Sequence, residues 1–130
     1  MNVLDNVPVD FKSFSWRDLL GQDLWQTFTV SATLTLVGTL TAEGRYRFVG
    51  RQCQFQVTLV ASTSIATTAG TSYINLPVGA QGIAGMALMT NDTTNVAVGV
   101  CHVDVVTSRC YLPSQSASGN TFNVCGSYEV

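Results

Sequence analysis

Charge is what this sequence has least of. Asp, Glu, Lys and Arg make up 11% of its 130 residues, less than half of the roughly 25% usual in soluble domains. A surface so short of charge is weakly protected against association, so self-association or coverage by a larger assembly is expected. The six Lys and Arg residues give a net charge of -2, which excludes a phosphate-neutralising nucleic-acid binder. No apolar run of 18 residues occurs, so no helix spans or inserts in a membrane. The first 25 residues carry six charges and lack the unbroken apolar core of a secretory leader, which places the chain in a reducing cytosol with Cys53, Cys101, Cys110 and Cys125 as free thiols.

Catalytic and metal-binding patterns are equally scarce. His102 is the sole histidine, and although Asp104 can share its strand face, no GxSxG or similar setting presents a nucleophile. Cys101, His102 and Cys110 are the nearest zinc candidates. Neighbouring strand residues point to opposite faces and no CxxC or HxxxH spacing exists, so no metal site or cofactor is expected. Glu43, Asp92, Asp104 and Glu129 fall mostly at turns or the terminus, a poor basis for a glycosidase acid pair. The chain reads as non-enzymatic.

What is present is period-two alternation. In Gly44 to Val60, Tyr46 and Phe48 alternate with Arg45 and Arg47. A turn follows at Gly50 and Arg51, and then Cys53, Phe55, Val57 and Leu59 alternate with Gln54, Gln56 and Thr58. Opposite faces of one hairpin are therefore apolar and polar, with the arginines on a solvated outer face. Phe28 to Leu40 alternates with Thr27, Thr29, Ser31, Thr33 and Thr35 and predicts one long strand, followed by a turn at Thr41 to Gly44. Ala61 to Thr71 reads as a loop or frayed strand, Tyr73 to Leu76 as a short strand stopped by Pro77. Ile83 to Met89 is apolar on both parities and predicts a strand covered on both faces. Asn91 to Asn95 is a turn by composition. The switch of parity between Val96, Val98, Val100 and Cys101, Val103, Val105 predicts a bulge or a strand buried on both sides near Cys101 and His102. Phe122, Val124, Gly126, Tyr128 and Val130 share one face of the last strand.

Residues 1–26 form a separate unit. Val3, Leu4, Val7, Val9 and Phe11 read as an extended arm. Ser15 and Asp18 resemble a capping box for a helix of one or two turns, with Trp16, Leu19, Leu20 and Leu24 at helical spacing. Residues 27–130 then form an all-β domain, an antiparallel β-sandwich or jelly-roll-like barrel.

Three segments together resemble a known family: GRYRFVGRQCQFQVTL with Gly44, Tyr46 and Gly50, INLPVGA with Leu76 and Pro77, and the closing strand with Gly126 and Tyr128. Their order is similar to that of the head modules of bacteriophage tail fibres and related virion spikes. The resemblance implies an antiparallel sandwich assembled as a homotrimer, with loops meeting a host surface and other virion proteins as neighbours. Such modules end long fibre chains, whereas this sequence begins at Met1 without a shaft. The expectation is therefore a small phage virion protein, assembled in the bacterial host cytoplasm and mounted through residues 1–26, with Val3, Leu4, Val7, Val9, Phe11 and Trp16 as the mounting arm, or through its trimer base.

Two functions follow. In one, the loops bind a host-cell glycan or protein. The candidate residues are Ser62, Thr63, Ser64, Thr68, Asn91, Asp92, Asn95, Gln115 and Asn120 for hydroxyls, with Tyr73 and Tyr111 to stack on a sugar ring. In the other, the trimer is a capsid decoration protein clamping coat subunits.

Overall fold

The computed structural model describes residues 25–80, 85–115 and 119–130. The expected arm and short helix lie outside the described residues, as do Val3, Leu4, Val7, Val9, Phe11 and Trp16. The described chain is all β and antiparallel, in eleven strands: β1 (Gln26–Phe28), β2 (Ala32–Thr33), β3 (Thr35–Val37), β4 (Leu40–Val49), β5 (Gln52–Ala61), β6 (Ser64–Ala66), β7 (Tyr73–Asn75), β8 (Gly85–Asn91), β9 (Val96–Asp104), β10 (Arg109–Tyr111) and β11 (Thr121–Glu129).

The hairpin of β4 and β5 forms as its alternation predicts. Val49 pairs with Gln52, and Gly50 takes the turn at φ +60, a region that disfavours a Cβ. Cys53, Phe55, Val57 and Leu59 of β5 are buried, with Phe122, Val124 and Tyr128 of β11 beside them. Each such large apolar side chain contributes roughly 1.5–3 kcal/mol by leaving water. The polar alternates of both strands face outward.

Nine strands form one sheet in the order β1-β4-β5-β11-β8-β9-β10-β7-β2, and β3 with β6 makes a separate ribbon. The expected all-β antiparallel domain is present as a curled, half-barrel sheet, and the curl arises because β9 serves both limbs. Up to Cys101 it pairs with β8, and His102 to Asp104 pair with β10. The pairing skips Val98 between Gly99 and Ala97, so the bulge expected near Cys101 lies three residues earlier, where extra twist helps curl the sheet.

The predicted long strand from Phe28 to Leu40 is broken into β1, β2 and β3, which pair with β4, β7 and β6 respectively. Its alternation is genuine, but its partners lie on different parts of the curl. The two edge strands of the sheet, β1 and β2, are joined by only Thr29, Val30 and Ser31, which holds the edges within about 14 Å of each other. Asn75 fastens this crossing: its Oδ1 accepts from Ser31 N at 2.5 Å and its Nδ2 donates to Thr29 O at 3.2 Å. The predicted turn at Thr41 to Gly44 is instead interior to β4. Gly44 is needed there for space, since a Cβ would lie 2.5 Å from the Phe28 ring. Part of the Ala61 to Thr71 loop is β6, tied down by buried Ile65.

Gly126 and Tyr128 of β11 pack against β8 and the segment after Pro77. A Cβ on Gly126 would lie 2.5 Å from that of Ala87. The Tyr128 hydroxyl donates to Val78 O at 2.7 Å and accepts from Val78 N at 3.0 Å, just beyond Leu76 and Pro77.

Candidate functional site

Since the inner face is filled with apolar side chains, binding chemistry is confined to the outer face and the loops. On the short-strand limb, period two sends His102 and Asp104 of β9, Arg109 and Tyr111 of β10 and Tyr73 and Asn75 of β7 to the same outer side. Cross-strand register puts them in rows, with Tyr111 opposite both Tyr73 and His102, and Arg109 opposite both Asn75 and Asp104. The Tyr73 and Tyr111 rings meet edge-on at 5.5 Å, and His102 stacks on Tyr111 at 6.3 Å with 28° between planes. The Arg109 guanidinium sits 4.1 Å from the Tyr73 ring centroid, a cation–π geometry.

His102 is exposed and both tyrosines are half-buried. Hydrogen bonding to Tyr111 pushes the Arg109 pKa further up, so its charge is permanent. Asp104 is committed to its own turn: its Oδ1 accepts from Val106 N at 2.9 Å and Thr107 N at 3.4 Å. The Thr107 side chain first, and then the Val106 amide, hold its carboxyl below the ordinary value. The cluster therefore offers ring faces, an imidazole and a guanidinium on one rigid surface. That combination suits stacking on a sugar ring and hydrogen bonding to its hydroxyls.

The structure unites Tyr73 and Tyr111, the two residues picked from the sequence as stacking groups. It also adds Arg109, and His102, which the sequence reading weighed only for a triad or a zinc site. The parity of RCY in β10 against HVD in β9 was the available signal, but the register that aligns them is long-range.

The predicted loop residues behave differently. Asn91 is buried, and its Oδ1 accepts from Thr93 N and Thr94 N to build the turn. Asp92 accepts from Thr90 Oγ1 and from the Asn123 amide, and Asn95 holds φ 58. Asn120 Oδ1 accepts from Thr93 Oγ1 at 3.1 Å, which brings two of the three loops together. Gln115 is buried, bridges to Thr67 and donates from Nε2 to Ile65 O. Ser62 Oγ accepts from Thr39 N, and Thr68 N donates to Ser72 Oγ. Ser64 is within β6, and Thr63 is exposed. Most of these side chains are consumed in shaping their own loops.

Cys101 and Cys110 point inward on adjacent strands with thiols in contact, which pushes the Cys110 pKa up, while His102 faces outward. Among the described residues, no group of His, Cys, Asp and Glu could hold a metal ion.

Between the two limbs lies a third kind of surface. The expectation that β8 is covered on both faces fails. Met86 is 69% exposed, Leu88 45% and, opposite Leu88, Val100 of β9 65%. These three side chains form a contiguous apolar stripe across two central strands. Comparison of the chain with protein-family models, with characterised proteins and with solved structures finds no match.

Proposed function

We propose that this chain is a non-enzymatic structural protein of a bacteriophage virion, a homotrimeric fibre or spike head module that binds a host-surface glycan. The observation that carries the adhesion reading is the row of Tyr73, Tyr111 and His102 with Arg109 laid over it. A glycan-binding surface needs flat apolar rings to stack on and oriented donors beside them, and this limb provides both on short strands held in register. The motif pattern of Gly44, Tyr46, Gly50, Leu76, Pro77, Gly126 and Tyr128 supports the placement in a virion. The stripe of Met86, Leu88 and Val100 supports assembly, and two-layer, jelly-roll-like closure of the curled sheet belongs to the same proposal.

Binding to an array of bacterial surface glycans tests the reading. The native protein is retained on a subset of glycans, and Tyr111→Ala and Arg109→Gln lose that retention while staying folded, with at most a small drop in the unfolding midpoint. Retention on no glycan, or retention indifferent to both substitutions, rejects adhesion through this face.

The apolar stripe also favours a second reading, a capsid decoration protein docked on coat subunits. Gold-labelled antibody on purified particles separates the two: label at fibres or the tail tip goes with adhesion, and label over the head with decoration.

A further inference from the structure

The limb opposite the tyrosines carries a separate furrow on the outer face of β1, β4, β5 and β11. Its main depression has a volume of ≈ 1060 Å³ and adjoins a hollow of ≈ 240 Å³ beside Trp25, the two sharing Gln56 and Cys125 as walls. Register lays out the floor. Glu43, Thr58 and Asn123 form one row across β4, β5 and β11, Arg45, Gln56 and Cys125 the next, and Arg47, Gln54 and Ser127 the third.

Two arginines at i and i+2 on an exposed strand would ordinarily wave in solvent. These are held. Arg45 donates from Nε and Nη2 to Gln56 Oε1 at 2.8 and 2.5 Å, and Arg47 donates from Nε to Gln54 Oε1 at 2.8 Å. The Trp25 ring spans both guanidiniums, with each Cζ 4.7 Å from its centroid. Amide acceptors orient the two charges without neutralising them. The remaining guanidinium N–H groups and the Gln56 amide N–H₂ stay available as donors. A preoriented guanidinium pair is the usual partner for a carboxylate, sulfate or phosphate oxygen pair.

Further along the furrow the chemistry changes to Thr58, which donates to Asn123 Oδ1 at 2.7 Å, and to the Glu43 carboxylate. From Arg47 to Glu43 is about 14 Å along an extended strand. A ligand filling this length presents an anionic group at the arginines and neutral hydrogen-bonding groups at Thr58 and Glu43, where a second anion is repelled. Nucleic acid fails this requirement, since its charge repeats at every residue. Phe28, Val30 and Ala42 add apolar wall along the same length, against which the apolar face of a sugar ring can lie. We infer that the furrow is a binding site for an acidic oligosaccharide, its uronate or sulfate seated on Arg45 and Arg47 beside Trp25 and its hydroxyls on Thr58 and Glu43. This site goes beyond the tyrosine cluster and does not depend on it.

The test is fluorescence titration of Trp25 in a Trp16→Phe background, where it is the only indole, with calorimetry on the unsubstituted protein as the parallel measurement. The probes are trigalacturonate, a sulfated disaccharide, neutral maltotriose and sodium sulfate. A saturable response to trigalacturonate or to the sulfated sugar supports the site and says which acid it takes. That response weakens about tenfold in Arg47→Gln, as expected for loss of a charge-assisted pair, and is unchanged in Arg109→Gln. No saturable response to either acidic sugar by both methods overturns the inference. So does an equal response to sodium sulfate, which marks an adventitious ion only, or an equal response to maltotriose, which leaves the arginines without a role.

Discussion

Strands β5 and β11 pair over nine positions, from Val60 with Thr121 to Gln52 with Glu129, whereas β10 and β7 share only three, from Arg109 with Asn75 to Tyr111 with Tyr73. Both regions bury apolar residues inward, Phe55 and Phe122 in the first and Cys110 and Ile74 in the second. They part on the outer side. Over β5 and β11 the outward residues are mostly Gln, Thr, Asn and Ser: Thr58 bonds to Asn123, and Gln54 and Gln56 accept from Arg47 and Arg45 of β4. Over β9, β10 and β7 they are stacked rings under a cation. Stability is concentrated where long register builds a continuous core, and the ring cluster proposed to stack on a glycan sits where the ladders are too short to contribute much.

The sharpest way to break this comparison is to remove one large ring from each region. Phe122→Ala leaves a cavity at a fully buried position and is expected to destabilise by about 4 kcal/mol. Tyr111→Ala, at a half-buried one, is expected to cost under about 1 kcal/mol. Urea denaturation of both variants measures the difference, and equal losses would dissolve the distinction.

Gly126→Val comes next. Its first side-chain carbon would lie 2.5 Å from both the Ala87 Cβ and the Met86 carbonyl oxygen, so overpacking should cost about 3 kcal/mol, read as a lower thermal midpoint.

Tyr128→Phe removes the two hydrogen bonds to Val78 and should cost about 1–2 kcal/mol. Burial first, and then the Cys53 contact, raise the Tyr128 phenol above its ordinary value of 10.0. Folding therefore holds this proton more tightly than the unfolded chain does. The associated stability is full below 10.0 and falls as the pH climbs past it, so an alkaline unfolding series should slope less steeply in the Phe variant.

The smallest effect belongs to Asp104. Its carboxyl is held below the ordinary 3.8 by Thr107 and Val106. Its contribution is therefore present above 3.8 and lost as the pH falls through the lower folded value. Asp104→Asn should flatten a slight acid-side decline in the urea midpoint and leave neutral stability nearly unchanged.

These contrasts mark what could be read in advance. The β4–β5 hairpin and β11 were legible because alternation and turn chemistry are local, and Gly50, Phe55 and Phe122 behave as their positions predict. The Phe28 to Leu40 segment misled because alternation reports which residues face inward, not how many partners a strand has. Its three pieces serve three different neighbours around the curl. The candidate site was half legible. Tyr73 and Tyr111 were singled out as isolated aromatics, but they lie 38 residues apart in the chain, and only the pairing of β10 with both β7 and β9 brings them to His102 and Arg109. Loop residues such as Asn91 and Gln115 looked like ligands-in-waiting because capping and recognition use the same side chains.

The central claim, that recognition sits on the short-strand limb and not in the loops, is tested most directly by amide-resolved NMR titration with a glycan retained on the array. The account predicts shift changes centred on Tyr73, His102, Arg109 and Tyr111, with the loops silent. Changes centred on residues 62–72, 91–95 and 114–120, with the limb unmoved, would contradict it.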